Sequence, residues 1–161
     1  MAEIAKQEGV KELLQLVSFI IGEEEFGVDI LRVQEINRML NITQVPNSPS
    51  YVDGVINLRG KVIPVIDLRS RFGMERKAHD KNTRIIVVEL TGKIVGFVVD
   101  AVREVLRISK SVTEIPPETV TQNIGSSFIT SVAKLEDRLL ILIDLEQILS
   151  IEEKSELERA S

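Results

Sequence analysis

Gly54-Val55-Ile56-Asn57-Leu58-Arg59-Gly60-Lys61-Val62-Ile63-Pro64-Val65-Ile66-Asp67-Leu68 sets two apolar runs on either side of a polar tip. β-Branched runs around a Gly-bearing tip read as a β-hairpin buried on at least one face. Gly60 suits a turn residue with positive φ. Pro64 has no N–H, so its strand is expected at a sheet edge or at a bulge. Ser131-Val132-Ala133-Lys134-Leu135-Glu136-Asp137-Arg138-Leu139-Leu140-Ile141-Leu142-Ile143-Asp144-Leu145 aligns with this stretch without a gap, 77 positions on (54 to 131). Val, Leu, Ile, Asp and Leu recur as identities. The chain reads as an internal duplication.

Working outward, Leu13–Ile21 is a strand candidate, Gly22–Glu25 a turn, and Phe26–Val28 the returning strand. A bend at Asp29–Leu31 precedes a strand over Arg32–Ile36. Asn41–Tyr51 is a Pro- and Asn-rich loop with an extended piece at Ile42–Val45. Leu68–Gly73 reads as a helical turn stopped by Gly73. Met74–Asn82 is charged, holds the single histidine, His79, and is the best linker. The second half repeats the order: a strand at Thr83–Leu90, a turn at Thr91–Lys93, a strand at Ile94–Val99. Gly96, Val102 and Glu104 match Gly27, Val33 and Glu35 at an offset of 69 (27 to 96), and Val112–Pro116 matches Ile42–Pro46 at 70 (42 to 112). About seven further residues separate Pro116 from Ser131, because the offset then grows to 77.

Each half has room for roughly five short strands, and a small sheet that curls shut loses its exposed edges. The expected fold is mainly β: two tandem five-stranded SH3-like β-barrels, with short helices and a C-terminal helix. The expected division is a flexible tail over 1–12, barrels over 13–75 and 82–149, and a charged helical tail over 150–161. A barrel of ~65 residues is marginally stable alone, so the seam between the two should be apolar. Whether the barrels exchange strands is left open by the sequence.

Composition narrows the function. A chain of 161 residues, 43% hydrophobic, buries roughly 70% of its unfolded surface without disulfides. It has no cysteine, which fits a reducing cytoplasm. Aromatics are 4%, so an aliphatic core is expected. A net charge of −5 disfavours nucleic acid and anionic membrane as partners. One Tyr and no Trp leave little to stack bases on. No apolar run approaches the ~20 residues of a membrane span, and no signal-peptide pattern is present. Gly54 and Gly60-Lys61 do not make a phosphate loop: that motif needs four residues between its glycines and a Ser or Thr after the lysine. His79 stands without companion metal ligands. Asp67 and Asp144 sit where helix N-caps belong. Ser48 and Ser50 have no neighbouring base. No catalytic residue, metal or cofactor is expected, and the chain reads as a binding protein rather than an enzyme.

The halves differ in one informative way. Arg59 aligns with Glu136, Gly60 with Asp137, and Glu35 with Glu104. Only the first half therefore offers opposite charges at these matched positions. Glu35 and Arg59 are expected to pair and shape a binding surface. An exposed pair is worth ~0–1 kcal/mol, so stability is not the reason to keep one.

Phe-Gly-Val-Asp-Ile-Leu-Arg-Val-Gln-Glu-Ile over 26–36, Thr-Gln-Val-Pro-Asn-Ser-Pro over 43–49 and the stretch over 54–69 together resemble the CheW-like family of bacterial chemotaxis coupling proteins. The likeness continues through Val95–Asp100 and Asp137–Leu142 and spans nearly the whole chain. It implies double SH3-like barrels and a non-enzymatic adaptor. Such an adaptor joins the cytoplasmic tip of methyl-accepting chemoreceptors to the histidine kinase CheA, and further copies of the coupling protein are partners in array rings. It implies a cytoplasmic protein recruited to membrane receptor arrays without inserting into the membrane. The receptor-binding groove carried over from the family comprises Val33, Glu35, Gly54, Asn57, Arg59, Gly60 and Arg84, the last at a position usually apolar. Ile42, Val45, Pro46, Thr113, Ile115, Pro116 and Glu118 are the kinase-binding candidates. A CheV-type coupler and the regulatory domain of CheA share this fold and are the alternative readings.

Overall fold

The computed structural model describes residues 12–118 and 128–148. The tails expected over 1–11 and 150–161, and most of the extra segment after Pro116, lie outside them. Eleven strands follow in order: β1 Leu13–Ile21, β2 Glu24–Asp29, β3 Val33–Arg38, β4 Val52–Leu58, β5 Lys61–Asp67, β6 Arg84–Leu90, β7 Lys93–Val99, β8 Ala101–Ser109, β9 Thr113–Glu114, β10 Ile129–Lys134 and β11 Leu139–Ile143. One short helix, α1 (Leu68–Arg71), follows β5. Asp67 caps its start by accepting from the Arg69 N–H, and the Gly73 and Met74 N–H groups close its end on Ser70 and Arg69 carbonyls. Single 3-10 turns cover Ile30–Arg32, Lys110–Val112 and Leu145–Gln147. The first starts at the expected bend, and Asp144 caps the last as expected.

The strands form two sheets, β8-β1-β2-β11-β10-β9 and β3-β6-β7-β5-β4. Each curls into a small SH3-like barrel. Neither follows the expected division into 13–75 and 82–149. The hairpin β1–β2 from the first half pairs with β8 and β11 of the second; β6–β7 from the second half pairs with β3 and β5 of the first. Apolar periodicity marks which residues are buried, not which strand lies beside them, so the exchange is set by tertiary pairing.

The duplication survives in the register. The parallel joint Val65↔Gly96 in one sheet corresponds to Leu142↔Gly27 in the other. Gln34 is the extra residue where β3 meets β6, and Arg103, 69 positions on, where β8 meets β1. Asp53 bulges from β4, and Thr130, 77 positions on, from β10. Even the sixth strand has its twin, since β9 on β10 matches the isolated bridge of Thr43 to Val55.

Pro64 needs neither an edge nor a bulge of its own. β5 is interior, between β7 and β4, but its ladder with β7 runs from Val65 to Asp67. Pro64 lies one residue before that run, where its missing N–H interrupts nothing on the β7 side.

Three apolar clusters fill the molecule. Ile56, Ile63, Val65, Ile85, Val87 and Val98 make the interior of the five-stranded barrel. Leu16, Ala133, Leu140 and Leu142 make the thinner interior of the six-stranded one. The largest cluster lies between the sheets and draws on both. The barrel interiors are aliphatic as expected, and the seam adds aromatic rings to Val, Ile and Leu. Four of the five phenylalanines form a chain across the seam: Phe19 to Phe26 at 5.7 Å, Phe26 to Phe72 at 5.3 Å, and Phe72 to Phe128 at 5.1 Å between ring centres.

Two polar clips fasten the hairpin tips across the seam. Asp100, between β7 and β8, accepts the Gly22 N–H at 2.8 Å and takes Arg69 of α1 on both oxygens at 2.8–3.1 Å. Burial opposes the charged form of Asp100, but Arg69 and the Gly22 N–H hold its carboxyl below the usual range. The twin clip inverts the roles. Glu146, 77 positions after Arg69, accepts the Thr91 N–H at 3.0 Å and the Thr91 hydroxyl at 2.8 Å, and pairs with Arg32 at 3.2 Å.

Phe72 sits in the middle of the aromatic chain and is almost fully buried. Phe72→Ala is expected to cost about 3–5 kcal/mol, measured by urea unfolding. A loss under about 1 kcal/mol would show that the seam does not depend on the aromatic chain.

Candidate functional site

The tip of the β4–β5 hairpin is a two-residue turn. Arg59 (φ 52°) and Gly60 (φ 87°) are both left-handed, the pattern that matches the twist of the flanking strands. Asn57 Oδ1 accepts the Gly60 N–H at 2.8 Å and fixes the tip. Arg59 thereby reaches across to β3, the far edge of the same sheet. Its guanidinium engages both oxygens of Glu35, one at 3.1 Å and the other closer. Arg59 remains 71% exposed and Glu35 25%. Arg59 lowers the Glu35 pKa, and the pair raises that of Arg59. The expected ion pair is therefore formed, in bidentate geometry.

Val33 lies two residues before Glu35 and packs, half-buried, on the seam cluster. Its duplicate, Val102 on β8, packs on the same cluster. The two edge strands thus carry twin apolar positions where the seam is only partly covered. Val102 was missing from the expected groove, although the offset of 69 from Val33 marks it (33 to 102).

The structure brings Val33, Glu35, Asn57, Arg59 and Gly60 to one side of the five-stranded barrel. Gly54 and Arg84 stand apart. Gly54 is buried beneath the segment that holds Thr43: a Cβ there would come within 2.2 Å of the Thr43 carbonyl oxygen. Its absent side chain lets Thr43 bridge to Val55 by two hydrogen bonds of 2.8 Å. Arg84 pairs with Arg38 at the other end of the β3–β6 ladder from Val33 and donates to the carbonyls of Lys81 and Thr83 at 2.9 Å.

The kinase-binding candidates fall on twin edges. Ile42 precedes Thr43, which bridges to the outside of β4, and packs on the interior of its barrel, while Val45 is half-buried and Pro46 exposed. Thr113 belongs to β9 on the outer edge of β10, and its hydroxyl donates to the Lys110 carbonyl at 2.7 Å. Ile115 is 89% exposed; Pro116 is half-buried and Glu118 exposed.

The second half has an acid–arginine contact too, made by an arginine outside the matched positions. Glu104, the twin of Glu35, accepts from Arg138 at 2.6 Å. Position matching paired Glu104 with Glu136 and missed an arginine two residues further on. Arg138 also donates to Glu25 at 2.7 Å, joined by Arg103 at 3.2 Å. Glu25, expected in a turn, lies in β2 and is buried. The two barrels consequently present different tips. Arg59, Lys61 and Lys93 mark the turns of one; Glu23 and Glu24 mark one turn of the other, and Lys134, Glu136, Asp137 and Arg138 its second.

The segment expected as a linker is tied down. Arg76 bonds Asp53 and the Ser50 carbonyl and lies 3.3 Å from Asp67. Burial first, then the neighbouring Asp53, raises the Asp67 pKa, which Arg76 opposes. His79 is exposed, with Nε2 3.7 Å from Asp53. Among the described residues no group of three or more His, Asp and Glu is placed to hold a metal ion, and no helix is long and apolar enough to cross a membrane.

The family model described as "CheW-like domain" matches residues 15–153. "Chemotaxis protein CheW" of Helicobacter pylori is 40% identical over 145 residues, covering 90% of this chain and 87% of that protein. The protein of the same name from Klebsiella aerogenes is 37% identical over 153 residues, covering 95% and 92%. The crystal structure of scaffolding protein TtCheW from Thermoanaerobacter tengcongensis superposes with a TM-score of 0.80 at 39% identity, covering 88% of this chain and 96% of that one.

Removing Arg76 leaves two carboxylates facing each other. Arg76→Ala is expected to cost roughly 1–3 kcal/mol at neutral pH, below the full cost of breaking a buried pair because half of Arg76 is in water. A carboxyl whose folded pKa is raised favours the folded state most when protonated. The deficit should therefore shrink as pH falls through the raised Asp67 value, toward that of an unfolded aspartate. Urea unfolding across that range reads it; a deficit that grows on acidification would contradict the placement.

Proposed function

Because the chain belongs to the family of CheW-like domains, we propose that it is a non-enzymatic adaptor of bacterial chemotaxis that couples chemoreceptors to the histidine kinase CheA. The reading rests above all on the Glu35–Arg59 pair. It is exposed, bidentate, held by a left-handed turn, and set beside Val33 at the partly covered seam. An apolar strip flanked by a rigid charge pair suits a helical protein surface: burial gives ~25 cal/mol per Å² before association costs, and the pair fixes register.

In this reading the cytoplasmic tip of a methyl-accepting receptor lies against Val33, Glu35, Asn57, Arg59 and Gly60. Gly54 shapes the edge from beneath, and Arg84 lies outside the surface at the far end of the β3–β6 ladder. The kinase regulatory domain takes the outer edges at Ile42–Pro46 and Thr113–Glu118. Differently charged turns on the two barrels support end-to-end contacts with kinase or with further copies in a ring. The adaptor works in the cytoplasm, at the membrane only through the receptors.

Co-sedimentation with receptor-bearing membranes and CheA tests the whole proposal: kinase activity in the pellet should depend on this chain. The role of a kinase regulatory module would instead leave receptor coupling unchanged on its omission. Val33→Glu is expected to reduce receptor co-sedimentation at least about tenfold, the effect of burying an unpaired charge, with kinase pull-down retained. Unchanged receptor binding would refute this placement. Glu35→Arg and Arg59→Glu should each weaken receptor binding, and the double reversal should recover it. No recovery would mean the two residues act separately.

A further inference from the structure

The amino-terminal hairpin makes its whole ladder with distant chain. β1 pairs with β8 from Leu13 to Ile20, and β2 with β11 at Phe26 and Gly27; neither pairs with β3, β4 or β5. One connection joins this hairpin to the strands that follow. It is the three-residue turn Ile30–Arg32, in which Leu31 is 88% exposed, Ile30 is half-buried on the seam cluster and Arg32 pairs with Glu146. The tip is fastened by the clip in which Asp100 accepts the Gly22 N–H. Gly22 belongs to the hairpin; Asp100 and its partner Arg69 belong to the body.

An arm on one short hinge, seated in a slot built by distant residues, can be traded between copies with its contacts kept. We propose that β1–β2 is such an arm and that the partner it fits is a second copy of this chain. Two copies trade residues 12–29 reciprocally. Each arm seats between β8 and β11 of the other copy, and the pair closes with twofold symmetry. Every ladder and the Gly22–Asp100 clip re-form between copies. Only the geometry of the 30–32 hinge and the protein concentration distinguish the pair from the monomer. Val33, Glu35 and Arg59 stay with the body, so the pair presents the candidate surface twice.

The absence of cysteine makes the test direct. Gln15 on the arm and Arg107 on the body are exposed and face each other across the β1–β8 ladder. Opposed residues of an antiparallel pair lie about 4.5–5.5 Å apart between Cα atoms, within disulfide reach. Full-length Gln15→Cys and full-length Arg107→Cys chains, folded separately, are incubated together at high concentration and oxidised. The expected product is a covalent dimer joined between positions 15 and 107. An added Asp100→Ala change should speed its appearance about tenfold, because the clip holds the closed state and not the opened one. The double variant Gln15→Cys/Arg107→Cys, folded alone and dilute, should close an internal disulfide, showing that these positions tolerate the change. If it does so while the mixed single variants stay monomeric, the proposal is overturned. It is equally overturned if Gln15→Cys links as readily to Lys81→Cys, an exposed position outside the slot.

Discussion

Each barrel is finished by a hairpin that the other half of the chain supplies, and the joint is a parallel ladder of two or three residue pairs. Parallel neighbours cannot be joined by a tight turn, so their partners must come from far along the chain. At the crossing of each joint stands a glycine. A Cβ on Gly27 would lie 3.1–3.2 Å from the Leu142 and Leu140 side chains; one on Gly96 would lie 2.8 Å from Ile85. The bare backbone lets apolar side chains of the neighbouring strands close over the joint, which carries the barrel interior past it. Much follows from this one crossing. Neither half contains a complete sheet. The seam between the sheets must be as well packed as either interior, and the phenylalanines are gathered there.

Upon this doubled backbone the side chains have diverged. Where the five-stranded barrel buries Ile56 and Val87 and half-buries Ile94, the six-stranded one has Ala133, Ser18 and Glu25 at the matching places. Ser18 Oγ and Glu25 Oε2 are buried without a hydrogen-bond partner among the described residues. The clips keep their position and invert their charges, and the turn tips carry different charges. Shared geometry with differing electrostatics gives one small molecule two distinguishable ends, a sound basis for binding unlike partners in a fixed order.

The duplication was legible because bulges fell at matched positions and kept the offsets intact. The Glu35–Arg59 pair was legible because the hairpin tip could be read from Arg59-Gly60 and the acid from its place on β3. The exchange was not, since a Val- and Ile-rich run fits beside any other such run. Arg138 was missed for a related reason. Sequence alignment compares positions, whereas a long guanidinium side chain reaches its carboxylate from two residues away. Gly54 looked like part of a surface and proved to be buried, because a glycine in a motif does not say whether the space it leaves faces solvent or the chain's own backbone.

The exchange also orders events in time. During synthesis β1 and β2 emerge first, carrying Phe19, Phe26 and Val28, yet β11 ends at Ile143. At ordinary elongation rates the ribosome needs on the order of ten seconds to cover that gap. Until β8 is made, both edges of this apolar ribbon are open, and the β2 edge stays open until β11 follows. Contacts of such long sequence separation also place this chain among slow folders for its size. A nascent-chain chaperone that shields the first thirty residues would suit this topology better than one acting on the finished polypeptide.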